Sequence, residues 1–480
     1  MGRAEEAANH DAIGCALFGT RARFAVLIVT MLCLTSVWSN ILAFNFTTIC
    51  IENDHSNDTN LVYFTDPTVL TATEKSFRTS MVALTALCAN IPMTLAINRY
   101  GIRTIFAVLG LVSGVSTIMM PIAIEGGYAW LLVARGFQGI AFSGNFPVIG
   151  AFCARWAYWK QTGLFVSTLV ASVQLAPAIT MPVSGALCAA VSWQSVYYIH
   201  GSVGIGLFVI FAIFVRNSPE KHPCVGQAEC DKIARLKCTE KTTVPYLAIL
   251  RTPSIWAVWI ASVGNFAAVN LMFLYSPVYI SNVLGYSENS TGISAALPPL
   301  AQFAAKLISG AISDRVHCVT EANKFRIFNS LAFMLSALSF AVLGFMTADT
   351  KLVNMLLLGA AAGALGVDTG GFFKASSVLS QQYSHFVTGT FSFTHPLTMF
   401  VVPFIVNALT PNNTQEEWSV VFFIIAVMEI VTNIIFCIFV KGEPCEWTKI
   451  ENSDPSEYGD KEKRGFAREK RESHNAFVKL

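Results

Sequence analysis

The chain has 480 residues, of which 54% are hydrophobic and only 13% are charged, and its formal net charge is +2. A soluble protein carries about 25% charged residues, so the composition excludes an ordinary soluble protein and indicates a polytopic membrane protein. The small net charge excludes no class of partner, because the distribution of charge among the loops matters more in a membrane protein than its sum.

Apolar runs of about 20 residues, long enough to cross the hydrocarbon core as helices, recur along the chain in two sets of six. This pattern predicts an all-α membrane protein of twelve transmembrane helices in two six-helix halves. The predicted parts are a cytosolic N-terminal tail (1–23), a first half (24–215), a cytosolic linker (216–252), a second half (253–440) and a cytosolic C-terminal tail (441–480). We number the predicted spans 1 to 12; they lie at about 24–44, 79–97, 104–124, 129–151, 163–183, 196–215, 254–279, 291–312, 327–346, 353–373, 390–409 and 418–440.

The first apolar run, from Phe24 to Phe44, has a cleaved signal peptide as its alternative interpretation. The apolar region of a signal peptide is about 7–15 residues long and ends at a small-residue cleavage site. This run is longer and continues into LAFNFTT. We therefore expect a retained membrane span.

Basic residues and glycosylation sequons favour the same orientation. With a cytosolic N-terminus, the cytosolic segments hold 26 of the 32 Lys and Arg, as the positive-inside rule requires. All four N-x-S/T sequons then lie outside, where glycosylation is possible. We expect both termini to be cytosolic and Asn57, the sequon farthest from a span, to be the acceptor; plasma membrane and vesicle or lysosome membrane both stay open. The other sequons begin at Asn45, Asn289 and Asn412.

The 12 cysteines do not form a pattern that predicts a site. Almost all lie in predicted spans or cytosolic segments, and only Cys50 is clearly on the outer side, so we expect no disulfide framework. The sequence has no C-x-x-C pair and no G-x-x-x-x-G-K-S/T loop, the patterns typical of zinc sites and of nucleotide-driven pumps. We expect no metal, no cofactor, no nucleic-acid partner and no enzymatic activity.

The fourth predicted span contains a cation, Arg135. A charge in hydrocarbon costs about 3 kcal/mol on insertion scales, so such a residue normally faces a bundle interior or a watery cavity. Helical spacing places Gln138 and Asn145 on the same side of this span. We expect Arg135 to contact a substrate; its alternative role is a tie between helices. The other uncharged polar candidates for the cavity are Asn40, Gln174, Asn270 and His395.

The loops before spans 3 and 9 carry similar motifs, TLAINRYGIR and GAISDR. Together they resemble the G-x-x-x-D-R-x-G-R loop of the major facilitator superfamily, with Asn98 replacing the acid of the first copy. The resemblance implies a gating loop in which the acid pairs with basic residues and closes the cytosolic side. The alternative is that these charges only anchor the loops by the positive-inside rule. The matching residues are Arg99, Gly101 and Arg103 in the first copy and Gly310, Asp314 and Arg315 in the second.

Within that superfamily the chain resembles the group of sodium/phosphate cotransporters, vesicular glutamate transporters and sialin. The fourth span carries R-x-x-Q-G followed by a proline, from Arg135 to Pro147. The resemblance implies alternating access, with an anion held near the bilayer midplane and Arg135 as its contact. Further similar motifs are MPVSG at Met181, WQSVYYIHG at Trp193, NSPEKHP at Asn217, SALPPLAQF with an extra alanine from Ser294, and KGEPCEW at Lys441.

Several charges of this group are absent from the chain. The acid that follows the span 4 arginine by seven residues is replaced by Phe142, and the first-span arginine of the vesicular glutamate transporters falls at Trp38. Their seventh-span arginine has no counterpart near Asn265. These losses argue against glutamate as the substrate and leave the coupling ion, Na⁺ or H⁺, open.

Two acids inside the second half are candidates for ion coupling, Asp368 in span 10 and Glu429 in span 12. For Glu429 we favour the alternative, a neutral carboxyl with a structural role. Lys306 and Lys374 lie towards the cytosolic ends of their spans, and we expect both to extend towards the membrane interface.

The sequence thus predicts a secondary active transporter of a small organic or inorganic anion that works by alternating access, with ion-coupled symport expected. Its partners would be the lipid bilayer, the anion, and Na⁺ or H⁺. Two alternatives stay open. One is a facilitated carrier of a neutral solute, and the other is a receptor with a transporter fold that does not transport.

Overall fold

The computed structural model describes residues 21–53, 70–158, 161–234, 244–315 and 319–448. Within these ranges the chain is helical apart from short turns, and no strand occurs. Ten helical segments of the described chain are long and apolar enough to cross a membrane, and Ile102–Ile118 is a shorter apolar helix. The predicted all-helical membrane fold is confirmed.

Each of the first six predicted spans is one helix or two consecutive helices. Span 3 breaks at Met119, just before Pro121. A proline inside a helix removes a backbone hydrogen bond, whereas one in the first turn does not. A new helix therefore begins here, with Pro121 in its first turn. Span 4 breaks at Ser143 and Gly144. The helices of spans 1 to 6 are Ala22–Asn53; Ala72–Tyr100; Ile102–Ile118 with Met120–Glu125; Tyr128–Phe142 with Asn145–Trp156; Thr162–Val170 with Ser172–Ala190; and Trp193–Phe214.

Spans 7 to 12 follow a short linker that contains the helices Gln227–Ala234 and Tyr246–Leu250. Span 10 is interrupted at mid-length by a 3-10 turn, Gly366–Gly370, which carries Asp368. The helices of these spans are Pro253–Val278 with the π turn Tyr279–Val283; Glu288–Ala295 with Leu297–Arg315; Glu321–Phe345; Lys351–Leu365 with Phe372–Ser380; Ser384–Gly389 with Phe391–Leu409; and Gln415–Phe439.

Two spans begin with capping boxes, in which a threonine and a glutamate satisfy each other's backbone N–H groups at the open start of a helix. Thr71 accepts from the backbone N–H of Glu74, and the Glu74 carboxylate accepts from that of Thr71. Thr414 and Glu417 repeat this arrangement at the start of span 12. The boxes fix where spans 2 and 12 begin.

The linker packs against one end of the helices, which we call the linker end; the opposite end is the far end. Arg23 Nη1 lies 3.2 Å from Glu229 Oε1 in the linker, and Trp447 donates to Thr252 Oγ1 over 3.0 Å. The described chain therefore begins and finishes at the linker end.

Span 2 of the first half and span 11 of the second half run side by side along their length. Ser80 donates to the Phe400 oxygen over 2.9 Å, and Asn90 donates to the Ser392 oxygen over 3.2 Å. The rings of Phe77 and Phe404, 5.2 Å apart, add an apolar contact between the same two spans.

A disulfide joins Cys50 at the far end of span 1 to Cys188 in span 5, with their Cα atoms 6.1 Å apart. The expectation that the chain forms no disulfide is therefore wrong. The predicted bounds already place Cys188 in the outer loop between spans 5 and 6, on the side of Cys50, but the sequence does not show that spans 1 and 5 pack closely enough for the two cysteines to pair.

Candidate functional site

Arg135 is fully buried in the first half. Its guanidinium donates to the backbone oxygens of Ile41, Arg78 and Thr79 over 3.2, 3.2 and 3.3 Å, and to Gln138 Oε1 over 2.9 Å. The cation thus replaces its hydration with oxygens from spans 1, 2 and 4. This is the geometry of a tie between helices, while substrate contact by Arg135 stays a prediction.

The tie continues through two other predicted residues. Gln138 donates to Thr117 Oγ1 over 2.9 Å and to the Asn40 backbone oxygen over 3.3 Å. The Asn40 side chain donates to Ser113 Oγ over 3.0 Å. Spans 1, 3 and 4 are therefore joined by side-chain amides, and Arg135 and Gln138 of span 4 face the interior of their own half.

A cavity of about 390 Å³ lies at the far end between the halves, and we call it the vestibule. Thr79 and Arg78 on span 2 line it, opposite Tyr275 on span 7. Arg78 Nη2 lies 3.7 Å from Glu52 Oε1, another lining residue. Since Arg135 holds the Arg78 and Thr79 main chain, it supports the wall of the vestibule from behind.

Five rings meet between the halves, and we call them the aromatic cluster. The His395 ring of span 11 lies 5.1 Å from the ring of Phe266 and 5.7 Å from that of Trp38. Phe142 and Phe146 of span 4 complete the cluster at 5.8 and 5.9 Å from His395. Trp38 and Phe142 occupy the positions where the resemblance implies an arginine and an acid, so an apolar wall replaces that charge pair.

The space beside this cluster is nearly closed. Asn145, Ser172 and His395 line a void of about 10 Å³, about the smallest space that holds one water molecule. Both ring nitrogens of His395 and Asn145 Oδ1 are buried without a hydrogen-bond partner in the described protein. The predicted residues Asn145 and His395 therefore meet here, in a conformation closed at mid-depth.

Asp368 is fully buried and accepts a short hydrogen bond from Asn265 Nδ2 on its Oδ2 atom. Lys306 of span 8 lies within electrostatic range of both Asp368 and His395. Its ammonium lies 5.3 Å from the centre of the Phe373 ring. The expectation that Lys306 extends to the interface is therefore wrong, because its ammonium lies by the Phe373 ring and within electrostatic range of the buried acid.

The remaining candidates make contacts within or between spans. Gln174 donates to Gln302 Oε1 over 3.1 Å, across the halves. Asn270 donates to Thr398 Oγ1 over 3.0 Å. Glu429 accepts from Ser336 Oγ over 2.9 Å at the interface of spans 9 and 12, away from the aromatic cluster.

The first copy of the gating loop packs against span 6 and the start of the linker. Arg103 donates to the Ala212 oxygen over 2.8 Å, and its backbone N–H donates to Asn217 Oδ1 over 2.9 Å. Gly101 has a φ of +90°, a conformation that favours glycine, and Arg99 lies over the Tyr100 ring. In the second copy, Gly310 lies in the helix of span 8, and the exposed Arg315 is its last residue. The side chain of Asp314 lies outside the described part of the chain. The predicted glycosylation site, Asn57, also lies outside the described residues.

Sequence reasoning did not select two residues of the central region, Lys306 as a buried cation and Gln302 as the partner of Gln174. Both lie on one side of span 8, four residues apart. Two polar residues four positions apart lie on the same face of a helix. In an apolar span, such a pair indicates a face that is turned away from lipid, and this spacing could have identified both residues.

Comparisons with known proteins agree with this architecture. Human sialin is 28% identical over 350 residues, covering 71% of this chain and 70% of sialin. Vesicular glutamate transporter 3 of Danio rerio is 25% identical over 386 residues, covering 78% of this chain and 65% of the relative. A bacterial homologue of the human lysosomal transporter Spinster, in an inward-facing and occupied conformation, aligns with a TM-score of 0.65 at 13% identity, covering 87% of this chain and 96% of that chain.

These relatives include transporters, and the resemblance read from the motifs is confirmed. The Spinster homologue supports the fold alone at its level of identity. The family profile described as Major Facilitator Superfamily matches residues 24–403. The chain is therefore a multi-pass membrane protein that belongs to the Major Facilitator Superfamily.

Proposed function

We propose that the protein is a secondary active transporter of a small organic anion, which crosses between the two six-helix halves by alternating access. The supporting observation is the set of polar groups that both halves direct to mid-depth. Asn145 and Gln174 come from the first half, and Gln302, Asp368 and His395 come from the second.

These groups are incompletely satisfied by the protein itself. Asn145 Oδ1, Gln174 Oε1, Gln302 Nε2, Asp368 Oδ1 and both His395 nitrogens are buried without a partner in the described chain. A buried polar atom without a hydrogen bond costs about 1–3 kcal/mol. A polar ligand between the halves would recover part of this cost.

The disulfide supports the orientation that we propose. Disulfides form and persist in oxidising compartments, and Cys50–Cys188 lies at the far end, beside the vestibule. The far end would therefore face the outside of the cell or an organelle lumen. The linker end, with both described chain ends, would face the cytosol. The names of the vesicular glutamate transporters favour a vesicle membrane, while this orientation fits the plasma membrane equally.

Anion transport is also the activity named in the vesicular glutamate transporters. Here the lining of the vestibule carries Lys75 and Arg78 of span 2 against one acid, Glu52, so it keeps a net positive charge at the entrance to the space between the halves. Basic residues at the mouth of a cleft raise the local concentration of anions. We propose that anions enter through the vestibule and reach the mid-depth site when its aromatic wall moves.

Purified protein in liposomes tests this function. The labelled probes are inorganic phosphate, glutamate, N-acetylneuraminate and hippurate, with a pH gradient and a membrane potential imposed separately. We expect saturable uptake of at least one probe above protein-free liposomes, driven by one of the two gradients. Uptake that is independent of both gradients would indicate facilitation. Binding without uptake of any probe would contradict transport and favour a receptor.

A further inference from the structure

We propose that Lys306 binds the carboxylate of a small monocarboxylate with an apolar body, and that Asp368 beside it takes up one accompanying proton. This inference rests on the proposed function and deepens it. It assigns the anion site to span 8 of the second half, whereas the resemblance implies Arg135 of the first half.

Lys306 is the cation that the structure leaves available at mid-depth. The four protein acceptors of Arg135 all lie in its own half. Lys306 is half-buried, and its ammonium has no hydrogen-bond partner among the described residues. An ammonium carries three donors, so a carboxylate placed against Lys306 would form the charge-assisted bonds that the protein does not provide.

Asp368 lies close to this cation without a direct ion pair. Span 8 packs tightly on the 3-10 turn of span 10: a Cβ built on Gly366 would lie 3.0 Å from the Lys306 backbone nitrogen. Asp368 Oδ2 accepts from Asn265, while Oδ1 has no partner in the described chain. No Lys306–Asp368 contact of 4.0 Å or less occurs among the ion pairs of the described residues. An anion can therefore approach Lys306 without first breaking a salt bridge.

Charge balance sets the stoichiometry. The empty site holds one cation and one carboxylate, so it is neutral. A bound monocarboxylate adds one negative charge, and protonation of Asp368 by one solvent proton removes one. The loaded site is again neutral, which matters because a net charge is costly in a medium of low dielectric constant. One anion and one proton would cross together, without net charge movement.

Other titratable groups near Asp368 have separate partners. Lys374, the charged residue of the following helix, donates to Ser313 Oγ over 3.2 Å. On span 9, Lys324 pairs with Glu321 at 2.8 Å, and Arg326 donates to the Cys437 oxygen. His395 on span 11 lies within electrostatic range of Lys306. Lys306 is therefore the charged side chain that acts on the Asp368 carboxylate.

The walls of the site select the rest of the substrate. The aromatic cluster, with rings from both halves, lies between them, and Phe373 lies beside Lys306. The rings and the nearby amides of Asn145 and Gln302 supply no second cation, so a second carboxylate on the substrate would be an unpaired buried charge, which is strongly unfavourable. An apolar or aromatic body would instead be stabilised by burial against the rings.

The test compares labelled hippurate, a monocarboxylate with one aromatic ring, with labelled glutarate, a dicarboxylate, in liposomes. In the unaltered protein we expect hippurate to accumulate when the entry side is more acidic, without an effect of membrane potential, and glutarate not to accumulate. Asp368→Asn should keep hippurate–hippurate exchange and lose accumulation driven by the pH gradient. Lys306→Gln should lower the affinity for hippurate at least about tenfold, since the site loses its cation, and Lys306→Arg should restore part of it.

Lys374→Gln is the matched control and should transport normally, because it removes a lysine whose ammonium bonds Ser313 away from the site. Exchange activity of Asp368→Asn would itself show that this variant folds. Accumulation by Asp368→Asn that still follows the pH gradient, normal affinity in Lys306→Gln, or a preference for glutarate would overturn the inference. Transport of another anion without hippurate uptake would refute the substrate class alone, whereas no transport of any anion would refute the proposed function.

Discussion

Gly185 of span 5 and Gly292 of span 8 meet backbone to backbone at the far end. A Cβ built on Gly185 would lie 3.0 Å from the Gly292 Cα atom, and a Cβ built on Gly292 would lie 3.0 Å from the Gly185 Cα atom. Side chains larger than hydrogen at either position require the two halves to separate. This contact is therefore a place where the far end closes.

Replacing Gly292 by valine should hold spans 5 and 8 apart and favour the conformation that is open at the far end. We expect a lower transport rate and faster labelling of a cysteine placed at the vestibule residue Thr79 by a membrane-impermeant maleimide. Gly206→Val is the control, because nothing lies within 4 Å of a Cβ at Gly206. Equal labelling and transport in the two variants would refute the role of this contact in closure.

Arg135→Ala should act mainly on stability. It removes four inter-residue hydrogen bonds, and such bonds in membrane proteins average about 0.6 kcal/mol each, so roughly 2 kcal/mol is lost. Arg135→Lys should lose part of this, since an ammonium cannot match the guanidinium fork. Thermal melting of the purified protein measures the effect. Unchanged melting together with a raised KM would instead place Arg135 at the substrate.

Cys50→Ser should destabilise the far end of the first half. The bond closes a long loop, with a sequence separation of 138 residues, and disulfides typically stabilise by about 2–4 kcal/mol. A reducing agent should lower the melting temperature of the unaltered protein as much as the substitution does. Cys88→Ser, at a free and exposed cysteine, is the control. A melting temperature insensitive to reductant would speak against the bond.

Much of the architecture can be predicted from the sequence because apolar length alone sets membrane spans. The prediction was limited where a side chain's direction depends on tertiary packing. Lys306 looks like an interface residue by its position near Asp314, yet it faces Asp368 because span 8 packs on the turn at Gly366. The Cys50–Cys188 pair was missed for the same reason, because its formation depends on the packing of span 5 against span 1, which no sequence pattern gives.

The candidate site was predicted in its parts rather than as a whole. Asn145 and His395 were selected individually as polar residues in apolar spans, and the structure brings them to one void. Of their common surroundings, Trp38 was marked by its alignment with a charged position of the resembling group, whereas Phe266 carries no sequence signal that distinguishes a central ring from a lipid-facing one. Only the packing of spans 1, 4, 7 and 11 supplies that information.

Glu429→Gln should transport with the same pH dependence as the unaltered protein. Glu429 accepts from Ser336, and glutamine keeps an oxygen that can accept this bond. Glu429→Ala should lower the melting temperature, since it leaves the Ser336 hydroxyl without its acceptor. Initial uptake rates across a pH series measure the first effect. Loss of the pH dependence in Glu429→Gln would move ion coupling from Asp368 to Glu429.

Counterflow tests the central claim, anion transport by alternating access, most directly. Liposomes containing the protein are preloaded with an unlabelled anion and diluted into a trace of the same labelled anion, without any ion gradient. A carrier that exposes one site alternately to each side should accumulate label transiently above equilibrium, and we predict this overshoot. Label that never exceeds the level in protein-free liposomes, for every anion that the protein binds, would contradict the account.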